Sequence, residues 1–395
     1  MSVLSDIFAV AKREVRLSLS LPWLITMFMV MPVVWCVLLM GIFNEGYLRE
    51  LPVGFVDLDH SPASYEFAHK LDALPSAKLV SMTSPEEAKA AVKRGEIYAY
   101  LTVPHNWSAH LSRPDSLAIE GYFPKSLYAV AVTLELDIKT ALGQFTVESA
   151  KKLALSAGAN HKQADRALGL MNVQAVPFGN LAFNFQAYLL PVLIPGLLHL
   201  GLALVIVTRL SSEWQNQSVY DWIKTAGGST TRAIIGKLLP WWAYYSMLGA
   251  LFIAYFAGYC EWFAQGSILF WVMGLAFLMA VIALLPVFIM GIAMKAGWIV
   301  ATSFCVGYIA PIFPFTGFSF PFDAMQHWVV IFSQIFPLTH YVEFQSQQWM
   351  LNSPFFVSLV PLAKLGVFGL IYALLGIPAM GRQMHLAIRE ENNKC

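Results

Sequence analysis

The sequence predicts a polytopic α-helical membrane protein with six transmembrane helices, N-in/C-in, and a small α/β extracytoplasmic domain between helices 1 and 2. Three observations carry this. Apolar residues make up 57% of the 395 residues and charged residues only 12%, about half the roughly 25% usual in soluble domains. The apolar residues gather into uncharged runs at 17–44, 167–208, 238–260, 262–294 and 296–322, with a shorter run at 365–381. A helix needs about 20 apolar residues to cross a hydrocarbon core about 30 Å thick, so five runs cross with length to spare and the last is marginal. The third observation is charge placement. Of 49 charged residues, 28 lie between positions 45 and 180. Outside that stretch the basic residues are Lys12, Arg13, Arg16, Arg209, Lys224, Arg232, Lys237, Lys295, Lys364, Arg382, Arg389 and Lys394. With a cytoplasmic N-terminus and six crossings, all but Lys364 face the cytoplasm, as the positive-inside rule requires. The Lys364 stem can snorkel at a helix end. The connections 259–267 and 318–353 hold no Lys or Arg.

In chain order, residues 1–20 read as an amphipathic helix in the inner interface. Leu4, Ile7, Phe8, Ala11 and Val15 share one face; Ser5, Lys12, Arg13 and Arg16 share the other, toward headgroups. The basic cluster before an apolar run imitates a signal peptide, but the run is too long and no small-residue cleavage pattern follows, so it reads as an uncleaved anchor. The spans are expected at 21–44, 181–208, 238–260, 266–294, 296–316 and 357–380. A cytoplasmic loop at 209–237, an outer re-entrant or interfacial hairpin at 317–355 and a cytoplasmic tail at 381–395 connect or follow them.

Residues 45–180 alternate strand and helix signals. Positions 52–57 (PVGFVD) read as a buried strand, and Ser61-Pro62 as an N-cap with proline at the first helical position, opening a helix to about residue 74. Residues 78–82 are a second strand. Ser84-Pro85-Glu86-Glu87 repeats the cap, and Gly95 ends that helix after Lys93-Arg94. Residues 96–103 alternate as a third strand, 116–123 are a fourth, and helices follow at about 125–156 and 161–171. With no cysteine in this stretch, the domain is not a disulfide scaffold.

Motif reading excludes several chemistries. The stretch TAGGSTTRAIIGKL at 225–238 contains Gly236-Lys237, but Thr231 stands where a phosphate-binding loop has its first glycine and Leu238 where it has Ser or Thr. No nucleotide-binding or catalytic residue, metal ligand or cofactor is therefore expected in this chain. Proton coupling needs ionisable groups at membrane depth, and the uncharged runs offer only His199. His340 and Glu343, three apart with Asp323 and His327 upstream, form a conceivable acid–base or metal set. Their aromatic neighbours point instead to a hairpin in the interfacial belt, with polar side chains facing water. Asp57, Asp59 and His60 shape a turn after a strand.

The segments PVGFVDLDHSP (52–62), SPEEAKAAVKRGEIYAYLTVP (84–104), Gly236-Lys237-Leu238-Leu239-Pro240, GFSFPFDAMQHW (317–328) and FPLTHY (336–341), in this order and at these topological places, are similar to the ABC-2 family of exporter permeases. The chain resembles most the branch with a large periplasmic domain between the first two transmembrane helices. The resemblance implies a Gram-negative inner-membrane location and a dimer with a second permease copy or paralogue. It also implies a separate ABC ATP-binding subunit that holds ATP and Mg, and a periplasmic membrane-fusion adaptor that the branch often uses. Membrane lipid, and no nucleic acid, completes the expected surroundings. An amphipathic or hydrophobic substrate is expected. The family's contact with the ATPase lies on the N-terminal helix and the first cytoplasmic loop, here 4–17 and 213–225. Glu213 matches a family glutamate, but Gln217 replaces the usual glycine, Ala226 a usual proline, and Gln326 another, which permits a heterodimer with a more typical partner. Within the loop, Trp214, Tyr220 and Trp222, among Glu213, Asp221 and Lys224, have the composition of an aromatic docking surface with a polar rim. The plainer reading anchors the tryptophans to inner headgroups. A second class, a membrane-tethered periplasmic binding, sensor or assembly protein without transport activity, would as a sensor need a cytoplasmic output domain.

Overall fold

A computed structural model describes residues 2–44, 46–110, 118–158, 160–161, 184–260, 266–293, 298–318 and 320–392. The chain divides into two compact units, Met1–Asn44 with Pro177–Cys395, and Glu45–Val176.

The smaller unit is a four-stranded sheet, β1 (Leu51–Asp57), β2 (Ala77–Met82), β3 (Ala99–Val103) and β4 (Glu120–Tyr122), in the order β2-β1-β3-β4. β1 runs parallel to β2 (Val53 opposite Leu79) and to β3 (Phe55 opposite Leu101), while β4 is antiparallel to β3. β1 is central, which explains its nearly continuous apolar run: a parallel strand covered on both faces has no polar side. Val53 and Phe55 face a core with Phe67, Leu71, Trp107, Leu134 and Phe145, and Val56 faces a second core with Ala88, Ala91 and Ile97. The cap signals act as read. Ser61 caps Pro62–Asp72 by accepting from the Ser64 N–H, Ser84 caps Pro85–Arg94, and Gly95 closes that helix in the left-handed region at φ 75°. The Asp57 carboxylate accepts from the N–H groups of Asp59 and His60 and from the Ser64 hydroxyl, so it organises the turn after β1. A 29-residue helix, Tyr128–Ser156, follows β4. The helix expected at 161–171 lies outside the described residues beyond His161.

The larger unit is helical. Among the described residues, four helices are long and apolar enough to cross a membrane: Pro22–Ile42, Phe185–Gln215, Ile268–Ala293 and Phe355–Glu390. Of the two other expected spans, Thr230–Gly258 has the length, at 29 residues, but its first half carries Arg232, Lys237, Trp241, Trp242, Tyr244 and Tyr245, which lower its apolar character. The other, Trp298–Ile309, is a 12-residue α-helix continued by a 3-10 turn, Ala310–Phe315. Ile268–Ala293 is the hub, packing on Phe185–Gln215, Thr230–Gly258, Pro337–Trp349 and the C-terminal helix. Gly274 leaves room for one of these contacts: a Cβ there would sit 2.0 Å from the Phe344 ring. Close approach through small residues is the ordinary basis of helix association in lipid, where hydrophobic burial supplies little.

Pro22–Ile42 contains a π turn at Thr26–Val30, just before Pro32. A wider turn leaves carbonyls without helical partners, and unsatisfied groups are costly at membrane depth. Tyr245 donates its hydroxyl to the Phe28 carbonyl at 2.9 Å and Tyr244 to the Met29 carbonyl at 2.6 Å.

In the hairpin region the side chains differ from expectation. Thr339, His340, Gln345 and Gln348 are buried in Pro337–Trp349 rather than facing water. His340 Nε2 meets the Gln334 carbonyl at 3.0 Å and its ring stacks on Phe368, while Glu343 lies 3.8 Å from Lys364. The two do not converge on a common site. Buried His199, likewise, sits with Nδ1 3.4 Å from the Gly196 carbonyl one turn back.

The small sheet unit generates a stability prediction. Phe67 is fully buried against Phe55, Trp107 and Phe145, whereas Tyr65 on the same helix is exposed. Phe67→Ala should destabilise this unit by about 3–5 kcal/mol and Tyr65→Ala by no more than about 0.5 kcal/mol, read from urea unfolding followed by near-UV circular dichroism.

Candidate functional site

The N-terminal helix, Val3–Leu19, is capped by Ser2 and carries Asp6, Val10, Glu14 and Ser18 at intervals of four, all buried. Such spacing places them on one face, and that face lies along Thr230–Gly258. Three contacts define the seam. Asp6 receives Arg232 at 2.7 Å. Val10 and the Ile7 carbonyl cross Gly236, where a Cβ would come within 2.6 and 2.7 Å of them. Glu14 receives Lys237 at 2.6 Å and the Trp241 indole N–H at 3.2 Å. Gly236-Lys237 is thus a helix-crossing glycine followed by a buried cation.

The seam continues into the 209–237 segment. Arg209 donates to Glu14 through Nε at 2.6 Å and Nη2 at 3.4 Å. Arg13 forks onto Glu213 at 2.6 and 3.0 Å. Lys237 Nζ bridges the two carboxylates, 2.6 Å from Glu14 and 2.6 Å from Glu213, and lies 4.9 Å from the centre of the Trp222 ring. Three cations and two anions therefore form one buried cluster. Burial by itself would raise the Glu14 pKa. Lys237 and Arg209 more than reverse that and hold the carboxyl below its ordinary range.

The predicted loop residues separate into two sets. Glu213 is buried and engaged by Arg13, Lys237 and the Ser218 hydroxyl. Trp222 is fully buried, donates its indole N–H to the Ala233 carbonyl at 3.0 Å and meets the half-buried Trp214 edge-on. Glu213 and Trp222 therefore belong to the interior of this fold, with Trp214 half-buried beside them. The short helix Val219–Thr225 shows its opposite face outward: Tyr220, 52% exposed, with Asp221 and Lys224, the Lys224 ammonium 5.8 Å from the Tyr220 ring. Gln217, just before this helix, has φ 53°, a left-handed conformation that glycine adopts without strain.

Arg13 also differs from expectation, since it points to Glu213 rather than to headgroups. The apolar pattern that marks the N-terminal helix in the sequence does not single out Asp6 and Glu14. The available signal was two acids eight residues apart in an otherwise basic helix, in register with Val10 and Ser18. Their partners Arg209, Arg232 and Lys237 show, by sequence alone, only the basic bias of the cytoplasmic loop.

Several long apolar helices packed together define a multi-pass membrane protein. A family model described as ABC-2 family transporter protein matches residues 22–377. The chain belongs to that family, whose members are membrane components that partner with an ATP-binding subunit. No curated protein and no solved structure matches the chain.

The sign of the Glu14 shift gives a pH prediction. A carboxyl whose folded pKa lies below its unfolded value contributes stability above the unfolded value, near 4.5, and loses that contribution as pH falls through the folded value. The thermal midpoint of the detergent-purified protein should therefore fall as pH drops below about 4.5. Glu14→Gln should have a lower midpoint at neutral pH and a shallower acid dependence.

Proposed function

We propose that this chain is the permease subunit of an ATP-driven exporter, crossing the inner membrane six times with both termini cytoplasmic and residues 45–180 outside. It works as a dimer with a second permease and carries an amphipathic or hydrophobic substrate outward from the cytoplasm or inner membrane. A separate subunit binds and hydrolyses ATP. The observation that carries the reading is the two-sided helix Val219–Thr225. Its outer face, Tyr220, Asp221 and Lys224, is free for a partner, while its inner face, Val219, Trp222 and Ile223, is locked into the interior.

The ATP cycle supplies the differential binding that shifts the permease between two states. A partner seated on Tyr220 and Lys224 would move Val219–Thr225. Trp222 packs on Lys237, and Lys237 is held by both Glu14 and Glu213, so the displacement passes to Thr230–Gly258 and the N-terminal helix together. A contiguous, discretely packed chain of contacts is what such coupling requires.

The burial difference separates docking from folding. Tyr220→Ala combined with Lys224→Ala should weaken binding of the ATP-binding subunit by about 2 kcal/mol or more, seen as loss of co-purification from the native host, with the thermal midpoint unchanged. Trp222→Ala should instead lower the midpoint, since removing a buried tryptophan costs about 3–5 kcal/mol. Undiminished co-purification of the Tyr220/Lys224 variant would remove this face from the coupling role.

A further inference from the structure

A groove of about 100 Å³ opens beneath the N-terminal helix, between Val15 and Leu19 on that helix, Met29 on the first span, and Pro240, Trp241 and Tyr244 on Thr230–Gly258. Glu14 and Ser18 complete its wall. Every polar group in that wall already has an internal partner. Glu14 is held by Arg209 and Lys237, the Ser18 hydroxyl and the Trp241 indole donate to Glu14, and the Tyr244 hydroxyl donates to the Met29 carbonyl. What remains for an occupant to touch is hydrocarbon and aromatic surface. The volume, roughly that of three waters, admits a stretch of alkyl chain and offers nothing to a polar solute.

The mouth of the groove identifies the rest of the occupant. Val15 and Leu19 are both exposed at its rim, continuous with exposed Leu4 and Phe8. At about 100° per residue, Lys12 and Arg16 follow Leu19 round the helix cylinder. Both are exposed, and among the described residues no ion pair engages either one. The other three charged side chains of this helix, Asp6, Arg13 and Glu14, are all committed to internal pairs. Trp23, 52% exposed at the start of the first span, is an interfacial anchor by residue type. An apolar slot and two unpaired cations therefore lie on neighbouring faces of the N-terminal helix, next to the start of the first span.

We propose that this groove binds an anionic phospholipid, one acyl chain lying against Val15, Leu19, Trp241 and Tyr244 and the headgroup phosphate resting on Lys12 and Arg16. The lipid fills the seam between the N-terminal helix and Thr230–Gly258 beside the Glu14–Lys237 contact, so its occupancy sets how firmly that helix holds to Thr230–Gly258. This inference rests on the membrane location and stands apart from the exporter reading.

The test uses protein stripped of lipid by extended detergent washing. Palmitoyl-oleoyl phosphatidylglycerol or the matching phosphatidylcholine is added back, with thermal unfolding and native mass spectrometry as readouts. Phosphatidylglycerol should half-saturate the stabilisation at a concentration roughly 10- to 30-fold lower, from two basic side chains acting on an anionic headgroup. Lys12→Gln with Arg16→Gln, both at exposed positions, should abolish that preference while leaving the weaker response to phosphatidylcholine. Val15→Phe, which fills the slot, should reduce retention of both lipids. Equal half-saturation by the two lipids in the unsubstituted protein, or a preference surviving in the double variant, overturns the proposal. So does a double variant that keeps its lipid preference but loses the ATP-binding subunit, because the basic pair would then belong to a protein interface.

Discussion

Lys237 sits between the carboxylates of Glu14 and Glu213 with almost no solvent contact, and the arrangement of the surrounding helices follows from satisfying it. An ammonium taken out of water loses several kcal/mol of hydration, and only close anionic partners compensate. One partner comes from the N-terminal helix and the other from the end of Phe185–Gln215. The cation therefore has its partners only when three separate stretches of chain have converged. Arg209 and Arg13 then satisfy the remaining carboxylate oxygens, and the Trp222 ring covers the ammonium. Replacing such a cluster with apolar side chains can be neutral or stabilising, but removing Glu14 leaves the buried Arg209 without a carboxylate. The cluster thus specifies which surfaces meet more than it adds to stability.

Gly236 is the steric counterpart of this electrostatic constraint. The Glu14–Lys237 contact at 2.6 Å requires the two helices to pass close, and any side chain at Gly236 would collide with Val10 and the Ile7 backbone. The adjacent glycine and lysine, which superficially suggest phosphate binding, are two halves of one packing arrangement. The outer face of Val219–Thr225 remains available because the interior contacts use only its other side.

Much of the fold was legible because its signals are local. Serine-proline caps, Gly95 after two basic residues, and period-two alternation located the helices and strands of the small sheet unit, since each rests on neighbouring backbone groups. The apolar runs located the long membrane helices, but the aromatic first half of Thr230–Gly258 and the short Trp298–Ile309 lie near the limits of length and composition. The candidate site was half legible. Loop position and residue type identified Glu213 and the aromatic set, yet composition does not distinguish Trp222, which faces inward, from Tyr220, which faces outward two residues earlier. That distinction depends on where Ala233 and Lys237 lie in space. The ion cluster was hidden for the same reason: Glu14 and Lys237 are 223 positions apart, and each looks ordinary alone.

The central claim is that the N-terminal helix is held to Thr230–Gly258 and to the end of Phe185–Gln215 through buried charge, and a double-mutant cycle on Glu14 and Lys237 tests it most directly. Glu14→Gln, Lys237→Met and the double variant would be compared by reversible unfolding in mixed micelles. Glu14→Gln, which leaves Arg209 without its carboxylate, should be destabilising by about 3–5 kcal/mol, and Lys237→Met, after which Arg209 and Arg13 still engage Glu14 and Glu213, by less. The double variant should be less destabilised than the sum of the two, with a coupling of about 1.5 kcal/mol or more. Additive effects, with coupling within about 0.5 kcal/mol of zero, would show that the two charges do not act on each other and would contradict the account.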